Sequence, residues 1–543
     1  MRDRWTEFKR RAPMKDLPIG VSTFENLVKG NTLYVDKTEY IYNLVGSGRK
    51  RYFFSRPRRF GKSLTCSTLI SIFSGQKELF KDLWIGKSDY EWVNRPVIMF
   101  DFSRISHQNS NELIKGLHTA LDANAEKFGL VLKNQELKEK FAELIIKLAA
   151  KLGPVVVIVD EYDKPIIDLV DDLQEAERSR GVLKNFYGTL KGGDVDANLH
   201  FLFVTGISKF SKVALFSDLN NLSDLTNVGQ AAGLVGYTDE EVDRYLTPHI
   251  QAFADSRGQD YGTTRQLLKT WYNGYRFTKS KLKVYNPFSL HNCLTNLDLD
   301  NYWFTSGTPT FLIKFIEHNP LIAADIETIE GSFFAASNLE SFTLDVFYQN
   351  YKTLLLQTGY LTFASDYSED KRGYIVAYPN EEVRYSMTQQ IMQFVGGITP
   401  EQFGEFGDRF RKALFADDIG LFCKHLQDFI KLVPHNIRVD LEKFYQQIFF
   451  MVCVLFGKRP PTEVATEEGF MDLLLEGTKS TFVVEFKRDS TPEIALEQIE
   501  AKRYWEPYEI LKTKKVVLAG ITFNKTETGT YVLWKTKELD KGK

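Results

Sequence analysis

RPRRFGKS, residues 56–63, follows the apolar run YFF at 52–54 and precedes a stretch with helical spacing. A turn between a strand and a helix points backbone N–H groups at a phosphate. In such a turn Lys62 would reach the β- and γ-phosphates of a nucleotide, and the Ser63 hydroxyl would bind Mg²⁺. The segment departs from the pattern G-x-x-x-x-G-K-[ST] at one position, because Arg56 stands where the first glycine is usual. GKS alone is a common tripeptide, so the interpretation needs support from elsewhere in the chain.

An apolar run that ends in two acids provides this support. Val155–Val159 is a continuous β-branched run, as expected of a strand buried on both faces, and Asp160 and Glu161 follow it directly. Asp160 would hold Mg²⁺, and Glu161 would polarise the attacking water. The alternative is a strand whose acidic end merely begins a loop. The order of the two motifs along the chain favours a site for ATP and Mg²⁺.

A third apolar run, His200–Thr205, ends in a polar residue. If this strand lies between the other two, Thr205 would suit a sensor of the γ-phosphate; the alternative is a strand-end capping residue. Strands that alternate with helices predict a parallel sheet with right-handed crossovers. The expected nucleotide contacts are Arg58, Arg59, Phe60, Gly61, Lys62, Ser63, Leu64, Asp160 and Thr205.

Three zones of different pattern divide the 543 residues, which are too many for one core. Residues 1–235 alternate strands and helices, residues 236–432 are mostly helical, and residues 433–543 return to strands. We find neither internal repeats nor a low-complexity linker. The expected fold class is α/β, with an N-terminal P-loop NTPase domain, a helical middle region and a C-terminal α/β domain.

Composition and charge exclude several classes of protein. The net charge of -2 gives no global field for nucleic acid, so such binding needs a local patch. The four cysteines form no CxxC pair, which argues against a zinc site or a disulfide framework. Residues 1–20 are basic and lack the apolar core of a signal peptide, and no stretch approaches the roughly 20 apolar residues of a membrane helix. We therefore expect a cytoplasmic protein.

A second candidate site surrounds a predicted hairpin near the C-terminus. The strand that begins at Asp472 and the strand Thr481–Lys487 flank a turn at 476–480. A symmetric turn places Asp472 opposite Glu485, and alternation puts Lys487 on the same face. Two adjacent carboxylates repel unless a cation lies between them. We therefore expect a metal held by Asp472 and Glu485, with Lys487 orienting water for attack on a phosphodiester. The alternative is a cross-strand ion pair on a solvated face.

Seven motifs of the chain are similar to those of one known family. They are LPIGVSTFENL (17–27), YVDKT (34–38), SRPRRFGKSL (55–64), DEYDKP (160–165), TGISKFS (205–211), WYNGYRF (271–277) and YNPFS (285–289). The chain resembles the AAA-ATPase-like proteins that carry a C-terminal nuclease-like domain, in which RPRRFGKS is the family's own form of the P-loop. The resemblance covers most of the chain, is weakest from about 295 to 430, and implies an additional-strand P-loop fold of the AAA-like kind.

The C-terminal segment resembles the PD-(D/E)XK nuclease superfamily. The matching positions are Glu463, Asp472, Glu485-x-Lys487 and ALEQIEAKRYWEPY (495–508), a predicted helix that contains Gln498. The resemblance implies catalytic roles for these five residues, with Glu463 as a third acid of the metal site. The chain departs from the pattern at Phe470, where the family often has arginine. Loss of that positive charge would weaken contact with nucleic acid without removing the metal ligands.

The leading hypothesis is an ATP-dependent, Mg²⁺-requiring protein that acts on DNA. Its P-loop ATPase would be coupled through the helical region to the nuclease domain, and an analogy of architecture suggests defence or mobile-element biology. The chain would contact nucleic acid, DNA in preference to RNA, and would be able to form a homo-oligomer; no protein partner is indicated. The rival hypothesis is a nucleotide-driven switch whose C-terminal domain binds a partner or nucleic acid without cleaving it.

Overall fold

The computed structural model describes residues 14–46, 51–209, 222–305, 329–339, 351–433, 442–455, 458, 460–466, 468–511, 514–526 and 529–539. As far as these residues extend, the chain divides into two compact units. The first is built from 1–311 and 330–384, and the second from 312–329 and 385–543. Both units therefore draw on the predicted helical region, and the predicted boundaries at 235 and 432 stay predictions.

A five-stranded parallel sheet lies at the centre of the first unit. Its strands are β1 (Arg51–Ser55), β2 (Val97–Asp101), β3 (Val155–Asp160), β4 (Leu199–Gly206) and β5 (Ser223–Asp224), in the order β2-β3-β4-β1-β5. All of β3 is buried, as its β-branched run predicts. Strand β4 lies between β1 and β3, so the segments that follow these three strands meet at the carboxyl edge of the sheet, where open α/β sheets bind ligands.

Helices precede the first strand of this sheet and connect the later ones. They are α1 (Phe24–Lys29), α2 (Thr38–Val45), α3 (Lys62–Phe73), α4 (Ser110–Lys127), α5 (Leu137–Leu152), α6 (Lys164–Ile167), α7 (Leu173–Gly188) and α8 (Gly193–Asn198). Leu113, Leu117 and Leu121 form the buried face of α4, which is the four-residue spacing of an amphipathic helix. The Asn109 side chain caps the same helix by accepting the Glu112 N–H at 2.9 Å.

The first unit continues with helices and one small antiparallel sheet. The helices are α9 (Asp239–Arg257), α10 (Tyr261–Tyr272), α11 (Pro287–Asn296), α12 (Tyr302–Thr305) and α13 (Tyr351–Thr358). The sheet contains β6 (Phe333–Ala335), β7 (Thr362–Phe363) and β8 (Gly373–Ala377) in the order β6-β8-β7. Strands of two to five residues are too short for alternation to reveal, so the sequence predicted a mostly helical region here without these strands.

The second unit contains a mixed five-stranded sheet. Its strands are β9 (Thr462–Thr466), β10 (Gly469–Glu476), β11 (Ser480–Arg488), β12 (Lys515–Thr526) and β13 (Gly529–Glu538), in the order β13-β12-β11-β10-β9. Its helices are α14 (Glu381–Gly396), which begins in the first unit, α15 (Pro400–Phe415), α16 (Ile419–Leu432), α17 (Glu442–Leu455), α18 (Pro492–Ala501) and α19 (Glu506–Leu511). Strands β11 and β12 are parallel, and the other pairs are antiparallel.

Helices pack on both faces of this second sheet. On one face, Val483 of β11 belongs to an apolar cluster with Leu496 and Ile499 of α18. On the other face, the Phe486 ring of β11 lies 5.2 Å from the ring of Phe449 in α17. Consecutive residues of β11 therefore face opposite helical layers, and this alternation directs Glu485 towards α18.

The four cysteines are buried and unpaired, and burial raises the pKa of each thiol. They pack as small apolar side chains rather than as reactive thiols. None of the described helices combines the length and the apolar character that crossing a lipid bilayer requires.

Candidate nucleotide site and candidate metal site

The loop between β1 and α3 has the backbone that phosphate binding requires. Gly61 precedes the helix with a φ of 103°, a left-handed conformation that favours glycine. The first intrahelical hydrogen bond runs from the Thr65 N–H to the Gly61 carbonyl at 2.9 Å. The N–H groups of Lys62, Ser63 and Leu64 therefore have no acceptor within the helix. They project from the α3 N-terminus, where the helix dipole also favours an anion.

Lys62, Ser63 and Asp160 meet at the carboxyl edge of the parallel sheet. Lys62 is buried, and its ammonium donates to the Pro57 carbonyl at 2.9 Å. Burial lowers the pKa of Lys62, while the carboxylates of Asp160 and Glu161 oppose that shift. Burial raises the pKa of Asp160, and a hydrogen bond with the Ser63 side chain opposes that shift in turn. A cation, a hydroxyl and a carboxylate are thus gathered at one place.

Glu161 has an unusual backbone conformation. Its φ of 53° is left-handed, which is uncommon for a residue other than glycine. Its backbone N–H donates to the Asp160 carboxylate at 3.0 Å, which holds the chain in this turn. Backbone strain of this kind is concentrated at functional sites in proteins. The half-buried Glu161 side chain acts electrostatically on Lys62, so it lies at the same edge of the sheet.

Thr205 lies at the end of β4, next to Phe54 of β1. The side chain is fully buried, and its hydroxyl has no hydrogen-bond partner in the described part of the chain. Among the described residues the hydroxyl therefore has no partner that a capping role would need, and the capping alternative stays untested. Its position between β1 and β3 is the one that the γ-phosphate sensor hypothesis required, and the sensing role itself stays a prediction.

Asp163 is a buried acid of this site that the sequence analysis did not single out. Its carboxylate accepts hydrogen bonds from the Ile207 N–H at 3.0 Å and from the Ser208 N–H at 2.8 Å. Gly206 belongs to the same contact, because a Cβ there would lie 2.5 Å from an Asp163 oxygen. The segment after β3 is thus tied to the segment after β4. The signal was a second acid three residues beyond Asp160 in DEYDKP.

Arg56, at the position of the missing glycine, has a structural role. The side chain is 1% exposed, and its guanidinium donates to the carbonyls of Ser55 and Thr226, each at 2.8 Å. It also lies 4.5 Å from the Phe54 ring and 4.7 Å from the Phe277 ring. Burial lowers the pKa of Arg56 to about 9. The arginine therefore fastens the start of the P-loop to the interior and does not face the phosphate position.

Two other residues of the loop have side chains engaged within the protein. The Phe60 ring is buried 4.7 Å from the ring of Tyr275. Arg59 has a left-handed φ of 67°, and its guanidinium lies 4.7 Å from the Phe288 ring. Arg58 is half-buried. Any contact of Phe60 with a nucleotide would therefore come from its backbone.

The register of β10 against β11 agrees with the predicted hairpin. Leu473 pairs with Val484, and continuing this antiparallel register by one residue places Asp472 opposite Glu485. The Asp472 carboxylate accepts the backbone N–H of Phe486 at 2.7 Å. The symmetric turn and the alternation of side chains therefore located these acids correctly.

Glu485 is buried at the centre of the candidate metal site, with 2% of its surface exposed. Its Oε1 accepts a hydrogen bond from the Lys487 ammonium at 2.7 Å and another from the Gln498 side chain of α18. Its Oε2 is buried without a hydrogen-bond partner in the described residues. Burial, followed by the charge of Asp472, raises the pKa of Glu485 to about 7.

This donor set fits a divalent cation. A buried carboxylate oxygen without a partner is costly unless a cation or a water meets it. Asp472 and Glu485 supply hard oxygen ligands of the kind that Mg²⁺ prefers. These two residues would hold the ion, and Lys487 and Gln498 already orient one of the two carboxylates.

Glu463 forms no three-acid group with Asp472 and Glu485 among the described residues. Its neighbours Thr462 and Val464 pair with Leu473 and Met471, which flank Asp472, and its role as a third acid of the metal site stays a prediction. Glu463 lies on β9, is exposed, and has a left-handed φ of 47° that interrupts the alternation of the strand. Among the described residues, which include Glu463, Asp472 and Glu485, no three acids, histidines or cysteines lie close enough to hold one metal ion.

Two further residues shape the surroundings of the hairpin. Phe470, at the position of the family's arginine, is 65% exposed on β10. Asp417 lies between α15 and α16, and its carboxylate accepts the turn N–H groups of Thr478, Lys479 and Ser480 at 2.5–2.8 Å. Despite partial burial, these donors hold the pKa of Asp417 below its ordinary value. No sequence signal links Asp417 to a turn about 60 residues away, so it escaped prediction.

The fold and these sites define a P-loop protein of the AAA-like class with an appended nuclease-type domain. A family model described as "Predicted AAA-ATPase" matches residues 18–216, and a model of the PD-(D/E)XK nuclease superfamily matches residues 440–532. A protein of Azotobacter chroococcum mcd 1, described as an uncharacterized protein in the vnfD 5′ region, is 32% identical over 528 residues, which cover 94% of this chain and 97% of the relative. The chain belongs to the family of AAA-ATPase-like proteins with a C-terminal PD-(D/E)XK nuclease-like domain.

Proposed function

We propose that the protein binds and hydrolyses ATP with Mg²⁺ at the carboxyl edge of its parallel sheet. The observation that carries this proposal is the left-handed Gly61 before α3, with the buried Lys62 that follows it bonded to the Pro57 carbonyl and the buried Asp160 at the end of β3. Bound Mg²⁺ and ATP would supply the electrophilic phosphoryl group. Lys62 would release the Pro57 carbonyl and bind phosphate, while Ser63 and Asp160 would hold the ion. Glu161 would orient the attacking water, and the Thr205 hydroxyl would face the γ-phosphate.

We further propose that the C-terminal domain cleaves DNA with Mg²⁺. Asp472 and Glu485 would hold the ion, which would supply an activated water. Lys487 would stabilise the developing negative charge, and Gln498 would keep Glu485 in place. The supporting observation is the buried Glu485 oxygen that lacks a partner in the described residues. ATP binding or hydrolysis would gate this cleavage, and defence against foreign DNA or mobile-element biology is the context that the architecture suggests.

A second candidate function is a nucleotide-driven switch whose C-terminal domain binds DNA or a partner without cutting. The observations that favour it are the exposed Phe470 in place of arginine and the absence, among the described residues, of a three-acid group that includes Glu463. For either function we infer a cytoplasmic location, in keeping with four buried, unpaired thiols, and an assembly that could be homo-oligomeric.

The test is incubation of the purified chain with supercoiled plasmid and Mg²⁺, with and without ATP, while nicking and phosphate release are followed together. We expect nicking that needs Mg²⁺ and phosphate release that Lys62→Ala abolishes, because the phosphates lose their main cation. Lys115→Ala, on an exposed face of α4, is the matched control. Phosphate release without nicking would favour the nucleotide-driven switch over the nuclease. Absence of ATP binding by calorimetry would refute the nucleotide site.

A further inference from the structure

The P-loop contacts residues that come much later in the chain. The indole N–H of Trp303 donates to the Arg58 carbonyl at 3.1 Å. Pro57 meets Gly359 so closely that a Cβ on the glycine would lie 2.7 Å from the proline ring. The Phe60 carbonyl accepts the Gly236 N–H at 3.1 Å. The backbone of the loop is therefore held by the segments after 235 as well as by its own strand and helix.

Trp303 is in turn held by a buried acid. Its backbone N–H donates to Glu382 Oε1 at 2.8 Å, and the Ser289 hydroxyl donates to the same oxygen at 2.8 Å. Glu382 is fully buried, and its Oε2 has no hydrogen-bond partner in the described residues. An ionisable group in such a place is expensive. Because packing alone would be served better by an apolar residue, we look for a functional role of the contacts that Glu382 Oε1 makes with Trp303 and Ser289.

Glu382 also occupies a particular place in the chain. It lies in the first turn of α14, whose residues up to Arg384 belong to the first compact unit, while those from Tyr385 onward belong to the second. Two consecutive hydrogen bonds, Trp303 to Arg58 and Trp303 to Glu382, thus connect the P-loop to the first turn of this helix.

We propose that Trp303 and Glu382 are positioning residues of the nucleotide site, which fix the Arg58 carbonyl and join the P-loop to the first turn of α14. This inference rests on the proposed ATP site and adds residues that neither the motifs nor the matching family models assign. Neither side chain would touch ATP. Trp303 would fix the conformation of the loop that receives the phosphates, and Glu382 would fix the position of Trp303.

The test is the affinity for ATP of Trp303→Phe, Glu382→Ala, Glu382→Gln and the double variant Trp303→Phe/Glu382→Ala, measured by calorimetry. Phenylalanine keeps most of the ring but removes the donor to Arg58, so we expect binding to weaken about two- to tenfold, the usual worth of one hydrogen bond. Glu382→Ala should weaken binding similarly. The double variant should be no weaker than either single variant, because all remove one chain of contacts.

Glu382→Gln should bind ATP as the wild type does, because the amide oxygen still accepts from Trp303 and Ser289. Trp271→Phe is the matched control: Trp271 is a half-buried tryptophan of α10 that packs against the α9–α11 core. Amide exchange supplies a second readout. ATP should slow exchange in the first turn of α14 in the wild type and in Trp271→Phe, but not in Trp303→Phe.

Four results would overturn the inference while leaving the ATP site intact. They are wild-type affinity in Trp303→Phe, strictly additive losses in the double variant, an equal loss in Glu382→Gln and Glu382→Ala, or exchange in α14 that ATP does not alter. Thermal unfolding identifies any variant that fails to fold. If Trp303→Phe fails to fold, the comparison of ATP affinity between Glu382→Gln and Glu382→Ala tests the inference without it. Absence of ATP binding by the wild type would instead refute the proposed site and this inference with it.

Discussion

The carboxylate of Asp163 accepts two hydrogen bonds from Ser208, one from its backbone N–H at 2.8 Å and one from its hydroxyl at 2.9 Å. Both residues are almost completely buried. Because Asp163 follows β3 and Ser208 follows β4, this pair sets the spacing between Glu161 and Thr205. The buried Asp163–Ser208 pair thus stabilises the positions of both Glu161, the proposed water-orienting residue, and Thr205, the proposed γ-phosphate sensor.

Replacing Asp163 by alanine should destabilise the first unit. The N–H groups of Ile207 and Ser208 would lose their acceptor, and each unsatisfied buried group costs about 1–3 kcal/mol. We expect a lower unfolding temperature in calorimetry and slower ATP hydrolysis. Asp163→Asn keeps one acceptor oxygen and should fall between alanine and the wild type. An unfolding temperature equal to that of the wild type in Asp163→Ala would contradict the supporting role.

Restoring the usual glycine at position 56 should destabilise the folded protein, although it would restore the common P-loop pattern. Arg56→Gly removes the buried guanidinium and leaves the Ser55 and Thr226 carbonyls without their donor, a change that should cost more than about 2 kcal/mol. Arg59→Gly is the matched control, because Arg59 is exposed and its φ of 67° suits glycine. We expect a large drop in unfolding temperature for the first variant and a small change for the second. The reverse order would show that Arg56 is dispensable.

Local features of this fold could be predicted from the sequence, whereas contacts between residues far apart in the chain could not. The α3 helix follows the RPRRFGKS turn as predicted, because its start at glycine and its apolar spacing are local signals. The hairpin register followed from a symmetric turn, which fixes which residues face each other. Arg56 could not be assigned in this way, because its Thr226 partner lies 170 residues away. Asp417, Trp303 and Glu382 escaped prediction for the same reason.

The predicted role of Glu463 came from the family resemblance rather than from strand geometry. A resemblance compares residue types along the chain and does not report the backbone conformation, such as the left-handed φ of 47° at Glu463, which changes the direction of a side chain on a strand. The small sheet of β6, β7 and β8 was missed because so few residues per strand produce no period.

Replacing Glu161 by glutamine should stop ATP hydrolysis while leaving ATP binding intact. Glutamine keeps the shape of the side chain but cannot take a proton from water, which should lower the rate on the order of 10²-fold or more. Phosphate release and calorimetric binding measure the two effects separately. Glu139→Gln, on the exposed face of α5, is the control. Normal turnover in Glu161→Gln would mean that another group orients the water.

The buried Glu382 should make stability depend on pH. Burial raises its pKa from 4.5 to about 8, against the opposing contacts of Trp303 and Ser289 and with a small addition from Asp300. The protonated acid is therefore favoured in the folded state. Its stabilising effect is complete below pH 4.5 and is lost as the pH rises through 8, at no more than about 1.4 kcal/mol per pH unit.

Glu382→Gln, which stays neutral, provides the measurement. The unfolding temperature of the wild type should fall relative to that of Glu382→Gln between pH 5 and pH 8, and the difference should level off above that range. Other titrating groups contribute equally to both proteins and cancel. A difference that does not vary with pH would mean that Glu382 stays in one ionisation state throughout.

The last prediction concerns the acids of the hairpin. Glu485→Ala should abolish Mg²⁺-dependent cleavage of plasmid DNA, because Asp472 alone leaves the ion with one protein carboxylate. ATP hydrolysis should survive, because Glu485 belongs to the second unit and the P-loop to the first. Glu463→Ala is the informative control: it removes an acid of the same family motif, but this side chain is exposed and forms no three-acid group with Asp472 and Glu485 in the described structure. We therefore expect Glu463→Ala to retain most of the cleavage, measured as nicks per minute at saturating Mg²⁺. Equal losses in both variants would show that Glu463 moves into the site when metal or DNA binds. Loss of ATP hydrolysis together with cleavage in Glu485→Ala would make this domain a structural support of the ATPase rather than a nuclease.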